Sequence, residues 1–233
     1  MGRYLKSTPH MGLTFSTLGN PSLSAFVHFA PTDQPILSGM VGFADANWGP
    51  QDASRPNPLH PRLVTTTETR SVTGHIIFMN GGPLMWQANK EARGSRSSCE
   101  AEIKAIDECT KAVQWMRHVL TDLSLIDPSI PSCVYNDNQG AVQWCQAFSS
   151  KNTRHLNIRE NCVREAIHEF WEIEIKHIPG KVNPADLFTK EHKSVEEFMT
   201  LRDSFMSPGL DGGCCDVTVG TRAHLGSKQD SGT

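Results

Sequence analysis

The chain contains no apolar run of about 18 residues, so it has no membrane-spanning helix and no membrane partner is expected. Its first residues, Met1-Gly2-Arg3-Tyr4-Leu5-Lys6, lack the apolar core of a secretory leader, and an intracellular protein is expected. No Cys-x-x-Cys pair occurs among Cys99, Cys109, Cys133, Cys145, Cys162, Cys214 and Cys215, which removes the commonest thiolate zinc sites. The number is odd, so reduced thiols, mostly small buried side chains, are expected. An excess of basic charge is missing too. The 22 Lys and Arg residues face 25 Asp and Glu, a formal charge of −3, and composition does not advertise nucleic-acid binding.

What is present fits a globular protein: 38% hydrophobic and 20% charged residues in 233, enough for one domain with appendages. Residues 1–36 read as irregular, because Pro9, Pro21, Pro31 and Pro35 break each candidate element. Residues 37–206 carry periodic segments and form the expected domain. Residues 207–233 are Gly-, Ser- and Asp-rich without periodicity and read as a disordered tail.

Within the domain, 37–45 reads as a strand ending at Asp45, and 46–69 as a long polar loop. Residues 70–80 and 84–88 form a hairpin around Gly81-Gly82-Pro83. Ser97 or Ser98 caps a helix reaching about Leu123, with Ile103, Ile106, Thr110, Val113, Met116 and Leu120 as its buried stripe. Ser132–Asp137 is a strand ending in an acid, followed by a helix from Gln139 to about Phe148. Residues 156–170 give a helix buried through Ile158, Cys162, Ala166 and Ile167, and 172–178 alternate as a strand. Asn183-Pro184 opens a further helix, and 194–206 form the last. The order β-β-β-α-β-α-α-β-α predicts an α/β fold, a mixed five-stranded sheet with helices on both faces. Trp115 and Trp144 are expected in the core.

Asp45 and Asp137 close strands, Glu102 lies in the first turns of the long helix, and Asp186 opens a late one. Ligand sites of open α/β sheets lie at the carboxyl ends of strands, so Asp45 and Asp137 can share one rim. Gathered carboxylates repel one another unless a cation neutralises them, and Mg²⁺ takes such oxygen ligands. Any one of these acids alone also fits an ordinary strand end or helix start.

Their surroundings change the weighing. Phe43-Ala44-Asp45-Ala46-Asn47-Trp48, Arg70-Ser71-Val72-Thr73-Gly74-His75, Ser97-Ser98-Cys99-Glu100-Ala101-Glu102, Asn136-Asp137-Asn138-Gln139 and Pro184-Ala185-Asp186-Leu187-Phe188-Thr189-Lys190 occur in that order. Together they closely resemble the RNase H domain of copia-type retrotransposon Pol polyproteins, over roughly residues 37–206. Upstream, Arg3–Thr8 with Gly12-Leu13 resembles the end of the reverse transcriptase in the same polyproteins.

The resemblance implies an RNase H-like fold and an Mg²⁺-dependent endonuclease that hydrolyses the RNA strand of RNA–DNA hybrids. It implies two metal ions (Mn²⁺ able to substitute) on Asp45, Glu102, Asp137 and Asp186, which are the catalytic set, with Glu100 the lesser alternative to Glu102. Asn138 and Gln139 would read sugar hydroxyls, where the 2′-OH marks RNA. His177 is the candidate proton shuttle, although Lys181 lies nearer the place where many such enzymes carry a histidine. The rest of a reverse transcriptase is an implied partner, and the cytoplasm (in retrotransposon particles) or the nucleus an implied location. Between Trp48 and Arg70 the chain is longer than the common family pattern, which reads as a surface insertion.

Lys151, Arg154, His155, Arg159 and Arg164 form the densest basic cluster, with Arg154, His155 and Arg159 placed to touch phosphates or to form a solvated helix face. Lys90, Arg93 and Arg96 are candidates for the second strand's backbone. Two other functions stay open: a nucleic-acid-binding remnant without catalysis, and a different nuclease of the same fold.

Overall fold

The computed structural model describes residues 8, 10–13, 40–49, 70–79, 82–92, 94–147, 158–190 and 194–208, with main chain alone at 158–161 and 208. The chain divides into two units, Gly12–Ser207 and Met1–Met11 with Pro208–Thr233. In the smaller, the Met11 amide donates to the Thr8 carbonyl at 3.2 Å. The larger holds all the helices and the central sheet described below.

Five strands form one sheet: β1 (Met40–Asn47), β2 (Val72–Met79), β3 (Gly82–Lys90), β4 (Ser132–Asn136) and β5 (Ile173–His177). Their spatial order is β3-β2-β1-β4-β5, antiparallel from β3 to β1 and parallel from β1 to β5. The helices are α1 (Ser98–Asp122), α2 (Gln139–Gln146), α3 (Ile158–His168), α4 (Asp186–Thr189) and α5 (Val195–Asp203). This is the mixed five-stranded α/β arrangement expected from the element order.

Alternation along β1 sorts its side chains between two cores. Met40, Ala44 and Ala46 join Ile77 of β2 against the buried stripe of α1 and the inner faces of α2 and α3. Val41 and Phe43 join Ile76 and Phe78 on the other face, with Tyr135, Ile178, Ala185 and Phe205. Phe43 stacks on Tyr135 at 5.4 Å and meets Phe78 edge-on at 5.6 Å. Helices therefore cover both faces, α1 to α3 one and the α4–α5 segment the other.

Several local expectations need correcting. β1 continues past Asp45 to Asn47 because β2 extends to Val72 and supplies the ladder partner. Gly82 and Pro83 belong to β3, admitted by a register shift between Ile77 and Phe78. The helix expected at Pro184 begins at Asp186 and lasts four residues, after a 3₁₀ turn at Gly180–Val182. Cys162 is exposed, and Val163 and Ala166 carry the buried side of α3. Trp115 is 57% exposed, since α1 turns that position away from the sheet; Trp144 packs against the core, partly buried. A three-residue strand, Met11–Leu13, interrupts the stretch expected to be irregular. Cys99, Cys109, Cys133, Cys145 and Cys162 are free thiols. The rest of the 46–69 loop beyond Gly49, most of 1–36 and all but the first two residues of the expected tail lie outside the described residues.

Candidate metal centre

Strand register builds the first half of the site. β1 and β4 are parallel neighbours, with Phe43 opposite Tyr135. Asp45 and Asp137 each stand two residues further along, so both reach the same rim on the same face. Glu102 joins them from α1, whose start is fixed by the Ser97 side chain accepting from the Glu100 amide at 3.1 Å. Asp45, Glu102 and Asp137 each offer an oxygen within 4.8 Å of the others.

Asp186 arrives by a different route. α4 lies against β2 at Gly74, where an added Cβ would stand 2.8 Å from both the Phe188 Cβ and the Thr189 Cγ2. Only a residue without a side chain lets the short helix approach so closely. That contact brings Thr189 to donate its hydroxyl to Asp45, and Lys190 to reach into the acids. The Lys190 ammonium is 2.8 Å from Asp186 Oδ1, 3.1 Å from Asp45 Oδ1 and 3.8 Å from Asp137 Oδ2. Asp186 is thus tied to Asp45 through a shared ammonium.

Two buried asparagines hold the backbone beneath. Asn136 donates to the Ala44 carbonyl at 3.1 Å and to Glu102 Oε2 at 2.8 Å, while accepting from the Asn138 amide at 2.9 Å. Asn183 donates to the same Ala44 carbonyl at 3.0 Å and accepts from the Ala185 amide. Each is 0% exposed, so an unmet amide there would cost about 1–3 kcal/mol.

The electrostatics are those of too much negative charge in too little water. Burial, then the neighbouring Asp45, pushes Glu102 up to about 8. Burial and Asp45 likewise raise Asp186 to about 7 and lift Asp137 above the usual carboxylate range. Burial alone would lower the Lys190 pKa, but Asp45, Asp186 and Asp137 outweigh it and drive it upward. Four carboxylates around one ammonium have a surplus of hard oxygen donors, the donor set that suits Mg²⁺. The residues present therefore fit a divalent cation.

The remaining candidates are scattered. Glu100, the alternative to Glu102, is engaged elsewhere, accepting from the Arg96 amide at 2.8 Å and pairing with Lys104 at 3.1 Å. Asn138 caps α2, its Oδ1 accepting from the Ala141 amide at 3.1 Å, and Gln139 is exposed beside it. His177, exposed at the end of β5, places Nε2 3.1 Å from the Asp137 carbonyl. Arg154, His155 and Lys151 lie outside the described residues, as do Arg93 and the side chain of Arg159. Arg164 departs from the basic cluster seen in the sequence. It is buried, its guanidinium 3.6 Å from the Trp144 ring centroid, and it donates to the Trp144 carbonyl.

The sequence reading passed over Asn136, Asn183, Thr189 and Lys190. One signal was available for Lys190: it follows Asp186 by four residues, the spacing of an acid–base pair on a helix. The asparagines carried none, because their partner is a main-chain carbonyl far away in the chain.

Two curated relatives are similar in sequence. A retrovirus-related Pol polyprotein from transposon TNT 1-94 of Nicotiana tabacum is 29% identical over 122 residues, 52% of this chain and 9% of the relative. Another, from transposon RE2 of Arabidopsis thaliana, is 25% identical over 190 residues, 81% of this chain and 11% of the relative. The chain is a homologue of plant-transposon Pol polyproteins. It spans about a tenth of the length of these Pol relatives. No family profile matches it. Among solved structures, LC11-RNase H1, isolated from compost, overlays with a TM-score of 0.44 and 15% identity, over 65% of this chain and 93% of that one.

Proposed function

We propose that this Pol homologue is the RNase H portion of a copia-type polyprotein, a divalent-metal-dependent endonuclease that hydrolyses the RNA strand of RNA–DNA hybrids. The convergence of Asp45, Glu102 and Asp137, with oxygens within 4.8 Å, carries this reading. Asp186 completes the set through Lys190. These four residues would hold two Mg²⁺ ions, or Mn²⁺ in their place, and the bound ions supply an activated water and a stabilised leaving oxygen.

The chain's own groups do the rest. Asn136 aims the Glu102 carboxylate, and the Thr189 hydroxyl aims that of Asp45. His177, exposed with Nε2 3.1 Å from the Asp137 carbonyl, would be the proton shuttle. Asn138 and Gln139, directly after Asp137, would meet the sugar edge of a bound hybrid. Arg154, His155 and Arg159 would follow its phosphates. The remainder of a reverse transcriptase is the natural partner in a polyprotein, and the particle cytoplasm or the nucleus the natural place of action.

The test is cleavage of a labelled RNA–DNA hybrid, beside the matching DNA duplex, in Mg²⁺ and in Mn²⁺. Cleavage of the RNA strand alone, lost in Asp137→Asn while hybrid binding persists, is the expected result. No cleavage in either metal, or full activity in Asp137→Asn, overturns the reading.

A further inference from the structure

The ammonium of Lys190 occupies the region where the four carboxylates meet. It lies 2.8 Å from Asp186, 3.1 Å from Asp45 and 3.8 Å from Asp137, the last two on separate strands and the first on α4. No other lysine among the described residues touches acids from three separate segments. Its side chain is still 37% exposed, and it hangs from the C-terminal cap of α4 by a flexible four-carbon stem. An ammonium that bridges acids at these distances satisfies the same oxygens a divalent cation would need.

We propose that Lys190 is a built-in, displaceable counter-cation: it holds the acids together before metal arrives and withdraws along its stem when a divalent ion enters. The inference rests on the metal-binding reading above and adds a residue-level consequence to it. A group that merely supported the fold would, on removal, loosen the acids and weaken metal binding. A competitor has the opposite sign. Without the ammonium the site keeps its oxygens, gains net negative charge and has nothing to expel, so the divalent ion binds more tightly.

The experiment uses the full chain freed of metal, as wild type, Lys190→Met and Lys190→Arg, titrated calorimetrically with Mn²⁺ alone. Lys190→Met is expected to bind Mn²⁺ at least about tenfold more tightly than wild type, a difference of about 1.4 kcal/mol. Its metal-free form is expected to melt at a lower temperature, with the loss recovered on adding Mn²⁺. Lys190→Arg, which keeps the charge, is expected to return both properties towards wild type.

Equal or weaker Mn²⁺ binding by Lys190→Met, with wild type binding normally, overturns the counter-cation role and leaves the metal centre standing. No Mn²⁺ binding by wild type overturns the metal centre itself, and this inference with it. Should Lys190→Met fail to fold, the wild-type lysine Nζ and Cε resonances decide instead. A Lys190 signal that becomes solvent-like as Mg²⁺ saturates supports withdrawal, and an unchanged one overturns it.

Discussion

Two lysines in this molecule sit among acids, and they lead different lives. Lys104, on α1, pairs with Glu91 at 3.0 Å and Glu100 at 3.1 Å, and donates to the Ser95 hydroxyl at 2.9 Å. Those acids have further neutral partners close at hand: Glu91 accepts from Ser95, and Glu100 from the Arg96 amide. The group joins the end of β3 to the start of α1, and Trp48 adds to it by donating to the Ser95 carbonyl at 2.9 Å. Lys190 instead faces Asp45, Asp137 and Asp186, with Glu102 behind them. Asp45 is 0% exposed, so its charge has no water to lean on. The difference is one of charge balance under burial. Two partly buried acids, their side chains 9% and 29% exposed, make a clasp around one ammonium, whereas four acids around one, drawn from β1, α1, the end of β4 and α4, leave an excess of negative charge that a divalent ion would balance.

The comparison breaks most sharply at the acids themselves. Asp45→Asn keeps the size but removes one charge and turns one acceptor oxygen into a donor, and hybrid cleavage is expected to fall by at least a hundred- to a thousandfold, the scale lost with a group that stabilises developing charge. Glu91→Gln, the same chemical change in the clasp, is expected to leave the cleavage rate within about twofold, since Glu91 faces Lys104 and Ser95 and not the acid rim. Single-turnover rates for the two variants, measured together, decide it. Comparable losses would mean that both clusters serve only the fold.

A smaller effect is expected from geometry alone. An added Cβ on Gly180 would stand 2.7 Å from Asp137 Oδ2, the free end of a side chain that can swing away. Gly180→Ala is therefore expected to cost little stability yet displace the carboxylate, weakening Mn²⁺ binding about tenfold, or about 1.4 kcal/mol. Gly74→Ala meets the Phe188 Cβ and Thr189 Cγ2 instead, close to the main chain of α4, and is expected to lower the melting temperature before anything else. Melting curves and Mn²⁺ titrations on both variants separate the two outcomes. An equal loss of melting temperature in both would contradict the argument.

The contrast also explains which parts of the molecule were legible in advance. The long helix was readable because Ile103, Ile106, Thr110, Val113 and Leu120 repeat at helical spacing and all prove buried. The sheet followed from alternating runs and from a Gly-rich turn. The gathering of the acids was harder to see, since each acid alone fits an ordinary strand end or helix start, and only the motifs around them pointed to one rim. α4 could not be read as four residues long, because its limits are set by Gly74 on a distant strand. Arg164 looked like a member of a basic cluster in the sequence and is a buried residue, its guanidinium spent on the Trp144 ring and carbonyl. Trp171 is a similar case. At φ 55° it holds the left-handed position that ends α3, where the Glu172 amide donates to the Ala166 carbonyl, and nothing in the local sequence marks a tryptophan for that place.

Acidity offers a gentler probe of the same excess of negative charge. In the folded, metal-free protein Glu102 is raised to about 8 and Asp186 to about 7, both above their values in an unfolded chain. A carboxyl raised by folding contributes stability that is complete below its unfolded pKa and lost as pH rises through the folded one. The metal-free protein is thus expected to melt several degrees higher at pH 5.5 than at pH 8.5. Mg²⁺ reverses the reason for this, because a bound cation favours the ionised acids, so its stabilising effect is expected to be larger at pH 8.5. Calorimetric melting at both pH values, with and without Mg²⁺, checks the crossing. A metal-free melting temperature that climbs with pH would show that the acids carry no such strain.

The smallest effect belongs to the clasp. Lys104→Met removes an ammonium whose partners are Glu91 and Glu100, but its stem can still lie along α1 and the freed acids remain near water or neutral donors. Glu91 is only 9% exposed, so some loss of melting temperature is expected, but Mn²⁺ affinity is expected to stay unaltered. That absence of an effect on metal matters because the substitution is chemically the same as Lys190→Met. If Lys104→Met tightened Mn²⁺ binding as well, the effect at Lys190 would reflect overall charge rather than the place its ammonium holds.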